Sequence, residues 1–218
     1  MIDAIITVDE AAIQEKLGEL AYKSDVVMRR AANRALTTAN KTVKRETARR
    51  YRITQSNVSK TLTMHRAGGS AFYASVVSKG RHENLATFKV SPLRRPRRKK
   101  RGGYTPNVYK AAVEKGSGLK PLDGDVKPFV ATMSNGFTGV FQRKKATQKR
   151  GLLRLFAKAM QSKRKRSGKR TDNQIEAVQA PAVPQIIKND AVMVVVAKEA
   201  SKMMLKRAEH EIERMLKQ

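Results

Sequence analysis

Pro128-Phe129-Val130-Ala131-Thr132-Met133-Ser134-Asn135-Gly136-Phe137-Thr138-Gly139-Val140-Phe141-Gln142-Arg143 is the clearest hairpin in the chain. Asn135-Gly136 tolerates positive φ at both central positions of a type I′ turn, and β-branched and aromatic residues flank it on each side. A two-residue turn there sets Ser134 opposite Phe137. Val130, Thr132, Phe137, Gly139 and Phe141 then share one face, and Phe129, Ala131, Met133, Thr138 and Val140 share the other. Neither face is polar enough to stand bare in water. The reading is two inner strands, covered by helices on one face and by the rest of the fold, or a neighbouring subunit, on the other.

Outward from the hairpin, charge divides the chain. The 218 residues carry 47 Lys and Arg against 18 Asp and Glu, a formal net charge of +29. Such an excess repels itself and points to a polyanionic partner. Residues 1–27 hold two basic and six acidic side chains, and residues 28–115 hold 23 against three. Residues 116–142 balance at two against two, residues 143–170 carry 13 basic and no acidic side chains, and residues 171–218 balance at seven against seven. The hairpin is therefore the neutral centre between two cationic segments. The absence of cysteine excludes disulfides and thiolate metal sites and fits folding in a reducing cytoplasm. No targeting segment is read at Met1-Ile2-Asp3-Ala4-Ile5-Ile6, and no run approaches a membrane span.

Ahead of the hairpin, residues 2–8 read as a short strand or extended arm, and Asp9 caps a helix to about Leu20 with Ile13, Leu17 and Leu20 on one side. Ser24 is expected to cap a longer helix reaching about Tyr51. Val27, Ala31, Ala35, Ala39 and Val43 form its narrow small-residue stripe, suited to close packing on a sheet or a second helix. Its last turns, Lys44-Arg45-Glu46-Thr47-Ala48-Arg49-Arg50, favourably place cations at the negative end of the helix dipole. Thr54 caps a further short helix over residues 55–62. That pair admits a helix-turn-helix reading, but Asn57-Val58-Ser59-Lys60 offers few base-reading side chains, so a plain corner between helices is preferred.

Strands are expected over residues 71–78 and 85–90, around a turn at Lys79-Gly80-Arg81, and over residues 108–114. Between them runs Arg94-Arg95-Pro96-Arg97-Arg98-Lys99-Lys100-Arg101-Gly102-Gly103, too charged to pack and read as a phosphate-contacting loop. After the hairpin comes a second basic insert, with an amphipathic helix over residues 152–160 and the run Lys163-Arg164-Lys165-Arg166-Ser167-Gly168-Lys169-Arg170. The candidate nucleic-acid contacts are thus Arg94, Arg95, Arg97, Arg98, Lys99, Lys100, Arg101, Lys163, Arg164, Lys165, Arg166, Lys169 and Arg170. Residues 175–178 read as a strand pairing with the hairpin across that insert. Ala180-Pro181-Ala182-Val183-Pro184-Gln185 then turns the chain, and Asp190 caps a last helix over 191–217. Val192, Val195, Val196, Met203, Ile212, Met215 and Leu216 lie along its apolar side, with charges of both signs on a solvent side.

Catalytic motifs are not found: no nucleophile elbow, P-loop, zinc-type His pair or dinucleotide fingerprint occurs. Gly116-Ser117-Gly118-Leu119-Lys120 lacks the spacing of a phosphate loop and the hydroxyl residue after its Lys. His65, His82 and His210 are scattered, and Asp123 and Asp125 read as turn formers. The chain is expected not to be an enzyme, and to use no metal, cofactor or small-molecule substrate.

Three blocks resemble the phage minor tail protein Z family, the tail-completion proteins of long-tailed bacteriophages. The first is Arg45-Glu46-Thr47-Ala48-Arg49-Arg50-Tyr51-Arg52-Ile53, similar to the family's basic helix ending in Tyr before a second helix. The second is the hairpin, with Phe129-Val130-Ala131, Met133, Gly136, Gly139-Val140-Phe141 and Arg143. The third is Ala180-Pro181-Ala182-Val183-Pro184-Gln185 and the helix after it, including Glu209-His210-Glu211. On this resemblance Phe129, Met133, Gly136, Gly139, Phe141, Arg143, Pro181 and Pro184 are structural positions.

The expected fold class is α+β. A single domain over 1–218 sets an antiparallel sheet of about five to six strands against a long N-terminal helix and a long C-terminal helix (190–217), with basic loops at 92–104 and 144–171. The resemblance implies a virion protein at the head-proximal end of the tail or the neck, assembled in the host bacterial cytoplasm. It implies a homo-oligomeric ring, sixfold as tails are, that meets tail terminator, tail tube or connector proteins and non-specifically binds phage DNA, without membrane contact. The competing reading from net charge alone is an intracellular nucleic-acid-binding protein: nucleoid, ribosome-associated or a helix-turn-helix regulator.

Overall fold

The computed structural model describes residues 10–69, 73–93, 108–123, 126–143 and 175–217. Helices and strands are mixed, as an α+β chain requires, but the strands form sheets of two or three, not one sheet of five to six. The chain forms two compact units: Met1–Glu83, Ala112–Gly118 and Ala180–Gln218 make one, Asn84–Ala111 and Leu119–Gln179 the other.

In the first unit, α1 (Glu10–Leu17) is followed by a 3-10 turn, Gly18–Lys23, that runs straight into α2 (Ser24–Arg50). That continuity corrects the expected Ser24 cap. Ser24 is already helical and buried, and the residue before it, Lys23, makes no side-chain cap. The small-residue stripe is realised, with Val27, Ala31, Ala35, Ala39 and Val43 all buried. Its partner is a second helix, α5 (Asp190–Leu216), which turns a matching row toward α2: Val192, Val196, Ala200, Met204 and Ala208. Both rows repeat every four residues, and alanines on each let the two backbones approach closely. Leu17 and Ile13 of α1 join this core, together with Ile212 and Met215.

The apolar side of α5 departs in part from the expected pattern. Leu216 is exposed and Met203 and Val195 are half-buried, while the core side takes Ala200, Met204, Ala208 and, unexpectedly, Glu211. Its cap is Asn189, not Asp190: Asn189 Oδ1 accepts from the N–H of Ala191 at 3.0 Å.

Thr54 caps α3 (Gln55–Ser59) as its sequence requires, its hydroxyl accepting from the N–H of Asn57 at 3.3 Å. The helix then stops after five residues. Leu62 opens β1 (Leu62–His65), which pairs antiparallel with β2 (Ser75–Ser78) in the register Leu62 with Ser78. So β2 pairs backward to β1, and the expected hairpin around Lys79-Gly80-Arg81 does not form. Asn33 of α2 clamps the chain beyond β1, giving its Nδ2–H to the carbonyl of Ala67 at 3.0 Å and accepting the N–H of Ala67 at 2.9 Å. The Ala180 to Gln185 turn is in part helical, as α4 (Val183–Ile187), opened when Gln185 Oε1 accepts the N–H of Ala182 at 3.0 Å.

In the second unit, Leu85–Thr87 is a 3-10 turn and not a strand. A three-stranded sheet follows in the order β3 (Lys89–Ser91), β4 (Lys110–Ala112), β5 (Lys120–Pro121). A second sheet has the order β6 (Phe129–Thr132), β7 (Thr138–Arg143), β8 (Ile175–Ala177), all antiparallel. The pairing of residues 175–178 with the hairpin is as expected, but β6 is an edge strand of this sheet and not an inner one.

The hairpin register is one residue off the two-residue reading. Thr132 faces Thr138, Val130 faces Val140 and Phe129 faces Phe141. The loop is three residues long: Gly136 N–H bonds the Met133 carbonyl, Gly136 sits at φ 79°, and Met133 N–H bonds the Phe137 carbonyl. Asn135 Oδ1 accepts the N–H of Phe137 at 3.0 Å. A type I turn closed by a left-handed glycine matches strand twist as well as type I′ does, so the Asn-Gly pair fits both. The faces are redistributed accordingly. Val130 and Val140 point the same way and are 1% and 0% exposed, while Phe129 stacks beside Phe141 at 6.5 Å between ring centres.

Candidate nucleic-acid interface

The thirteen Arg and Lys residues assigned above to phosphate contact, from Arg94 to Arg101 and from Lys163 to Arg170, lie outside the described residues, as does the helix over 152–160. The strands that launch them are described. Residues 92–109 run between β3 and β4, which are hydrogen-bonded neighbours. Residues 144–174 leave β7 at Arg143 and return at Ile175, its register partner on β8. Both cationic stretches therefore begin and end on adjacent strands of the second unit. A 31-residue connection between paired strands is far longer than closing a hairpin needs.

The eight structural positions fall on ordered elements. Phe129, Gly139, Phe141 and Arg143 lie on β6 and β7, Met133 and Gly136 in the loop between, and Pro181 and Pro184 at the start of α4. Gly139 is crowded: a Cβ there would lie 2.7 Å from Phe137 Cε1 and 3.1 Å from Asn84 Nδ2. The rings of Phe137 and Phe141 are nearest, and Asn84 is held just beyond them. Its Nδ2–H reaches the carbonyl of Val140 at 3.1 Å and its Oδ1 accepts the N–H of Val140 at 3.0 Å, so one side chain does the work of a strand partner.

The first unit brings together cations that sequence reasoning did not single out. Arg30, Arg34, Lys41, Arg45 and Arg49 recur four or seven residues apart and form an exposed stripe along α2. Beside it, Arg34, Thr37 and Thr38 of α2 and Met203, Lys206, Arg207 and His210 of α5 line an open groove of about 340 Å³. Thr37 and Thr38 hydroxyls are turned back onto the carbonyls of Asn33 and Arg34, leaving the basic groups to set its charge. His65 and His82 are exposed and apart, and no group of three potential metal ligands occurs among the described residues.

Two buried carboxylates hold parts of this surface in place. Glu211, 2% exposed, faces Arg30 Nη1 at 3.0 Å, Arg207 Nη2 at 3.4 Å and Arg214 Nη2 at 3.4 Å. Glu46, 3% exposed, lies 3.4 Å from Arg45 Nε and 3.1 Å from Arg49 Nε, the second an ion pair by distance without hydrogen-bond alignment. Each carboxylate is outnumbered by guanidinium groups on side chains that are themselves partly exposed. The sequence signal for Glu211 was its place four residues after Arg207 and three before Arg214, on the α5 face that carries the apolar row.

At the end of α2 two distant segments meet. Arg50 Nη2 donates to the carbonyl of Ala191 at 3.0 Å, and Asn189 Nδ2 donates to the Tyr51 hydroxyl at 3.0 Å. No protein-family model matches the chain, and no curated protein or solved structure matches it either. Among the described residues no helix is long and apolar enough to cross a membrane.

Proposed function

We propose that the protein is a structural component of a phage virion, acting at the head-proximal end of the tail in tail completion and head-tail joining, with its cationic segments beside the genome end. The observation that carries this reading is the meeting of the first block of the tail-completion resemblance with the start of the third block's helix, through Arg50 with Ala191 and Tyr51 with the capping residue Asn189, 141 and 138 residues apart. Positions that distant in sequence meet at the end of α2, and their meeting supports the reading. The charge distribution agrees: a neutral hairpin flanked by cationic stretches would give sequence-independent, salt-sensitive contact with packed DNA. The protein acts as a homo-oligomeric ring, sixfold like the tail, bound to terminator, tube or connector proteins. It has no catalytic role.

The test is electron microscopy of particles produced without this protein. Tails that assemble but give no infectious particles fit completion; normal, infectious particles exclude it. The competing intracellular nucleic-acid-binding protein draws on the same net charge of +29 and predicts instead a footprint at defined sites by the isolated protein. A helix α3 of five residues weighs against the helix-turn-helix form of that reading alone.

A further inference from the structure

Helix α5 carries a line of apolar side chains that the described residues leave exposed. Val194, Leu205 and Leu216 are 65%, 58% and 56% exposed. Single exposed aliphatics need no explanation, but these three recur every eleven residues, about three helical turns, and so lie in one line. Along one flank of that line stand Lys198 and Lys202 toward the N-terminal half and Glu209 and Glu213 toward the C-terminal half, all exposed. At about 100° per residue, all seven side chains fall within an arc of about 100°. None of the four charged residues has an ion-pair partner among the described residues.

This pattern is self-complementary in one orientation. We propose that the occupant of this face is a second copy of the chain, with the two α5 helices packed antiparallel about a twofold axis beside Leu205. In that arrangement Leu205 meets its own counterpart, and Val194 meets Leu216 of the other copy at both ends. The charged flanks fall on the same side of the axis. Lys198 then stands opposite Glu213 and Lys202 opposite Glu209, each pair made twice by symmetry. A parallel pairing would instead put the two charged flanks on opposite sides of the seam, where Lys and Glu do not meet. The aliphatic line supplies the buried contact and the charges fix direction and register. The contact closes on two copies, so it differs from the head-to-tail contacts of a ring and does not depend on the virion reading.

The chain has no cysteine, so a single introduced thiol reports its own surroundings. In nuclease-treated full-length protein under mild oxidation, Leu205→Cys should cross-link to a covalent dimer. Val194→Cys alone should not, because its two copies lie about 33 Å apart along antiparallel helices at about 1.5 Å per residue. An equimolar mixture of Val194→Cys and Leu216→Cys should cross-link again. Cross-linking of Val194→Cys alone, or no preference for Leu205→Cys, overturns the proposal. In sedimentation measurements Leu205→Glu should weaken dimerisation at least 10-fold, as should Lys198→Glu with Lys202→Glu. Adding Glu209→Lys and Glu213→Lys to the latter should restore it. A monomer at all concentrations, or no rescue by the fourfold exchange, contradicts it.

Discussion

Glu211 is the residue on which the two long helices most depend for polar order. Its carboxylate is buried beneath three guanidinium groups, one from α2 and two from α5. Glu211→Gln keeps the shape and removes the charge, leaving Arg30, Arg207 and Arg214 to repel one another. Because those arginines are partly exposed, the loss should be moderate, about 1–3 kcal/mol in urea unfolding. Asn84→Asp tests a second single-residue device. The substitution removes the Nδ2–H donor to Val140 and sets a carboxylate against its carbonyl, so about 1–3 kcal/mol of stability should be lost, whereas Asn135→Asp, which keeps its acceptor, should cost little. At this scale the sequence was only partly legible. Asn135-Gly136 announced a turn, but one dipeptide suits both a two-residue and a three-residue loop, and the choice shifts every side chain of the hairpin by one place. Asn84 could not be found by pattern, because its partner Val140 lies on another element; Glu211 was legible only through Arg207 and Arg214 on its own helix, and Arg30 from α2 was not.

The small-residue stripe of α2 is the element-scale feature read most clearly in advance, with its partner left open between a sheet and a second helix. Five small residues at four-residue spacing implied close packing, and the matching row on α5 supplies the partner. Ala35, 1% exposed, sits in the middle of that seam. Ala35→Leu should force the helices apart and lower stability by about 1–3 kcal/mol, while Lys41→Leu on the exposed side should change it little, both measured by denaturant titration. Less was legible where strands pair across sequence. The segment expected to turn at Lys79-Gly80-Arg81 finds its partner upstream in β1, and the propensity of residues 85–90 for strand gives way at Leu85–Thr87 to a 3-10 turn that Asn84 caps by accepting the N–H of Ala86. Such outcomes depend on which edge is free in three dimensions, which local periodicity does not record.

For the whole molecule, the division of charge is the feature that a sequence shows best and the strands now locate. Both cationic stretches spring from paired strands of one unit, while the first unit presents its own basic stripe on α2. Replacing the seven basic residues from Arg94 to Arg101 with Gln should therefore leave the unfolding midpoint unchanged and flatten the salt dependence of DNA binding. The slope should fall by up to about 0.9 for each phosphate that the stretch no longer neutralises. A collapse in thermal stability would make that stretch structural. The sheet count was not legible: strands that look equivalent in sequence fall into separate small sheets through pairings that no local signal sets. The central claim, that this is a virion protein, is tested most directly by quantitative mass spectrometry of purified, nuclease-treated particles. The account predicts the chain in every particle at a fixed ratio to the tail proteins, about six copies per tail if the ring shares the tail's sixfold symmetry. Particles that contain none of it would contradict the account.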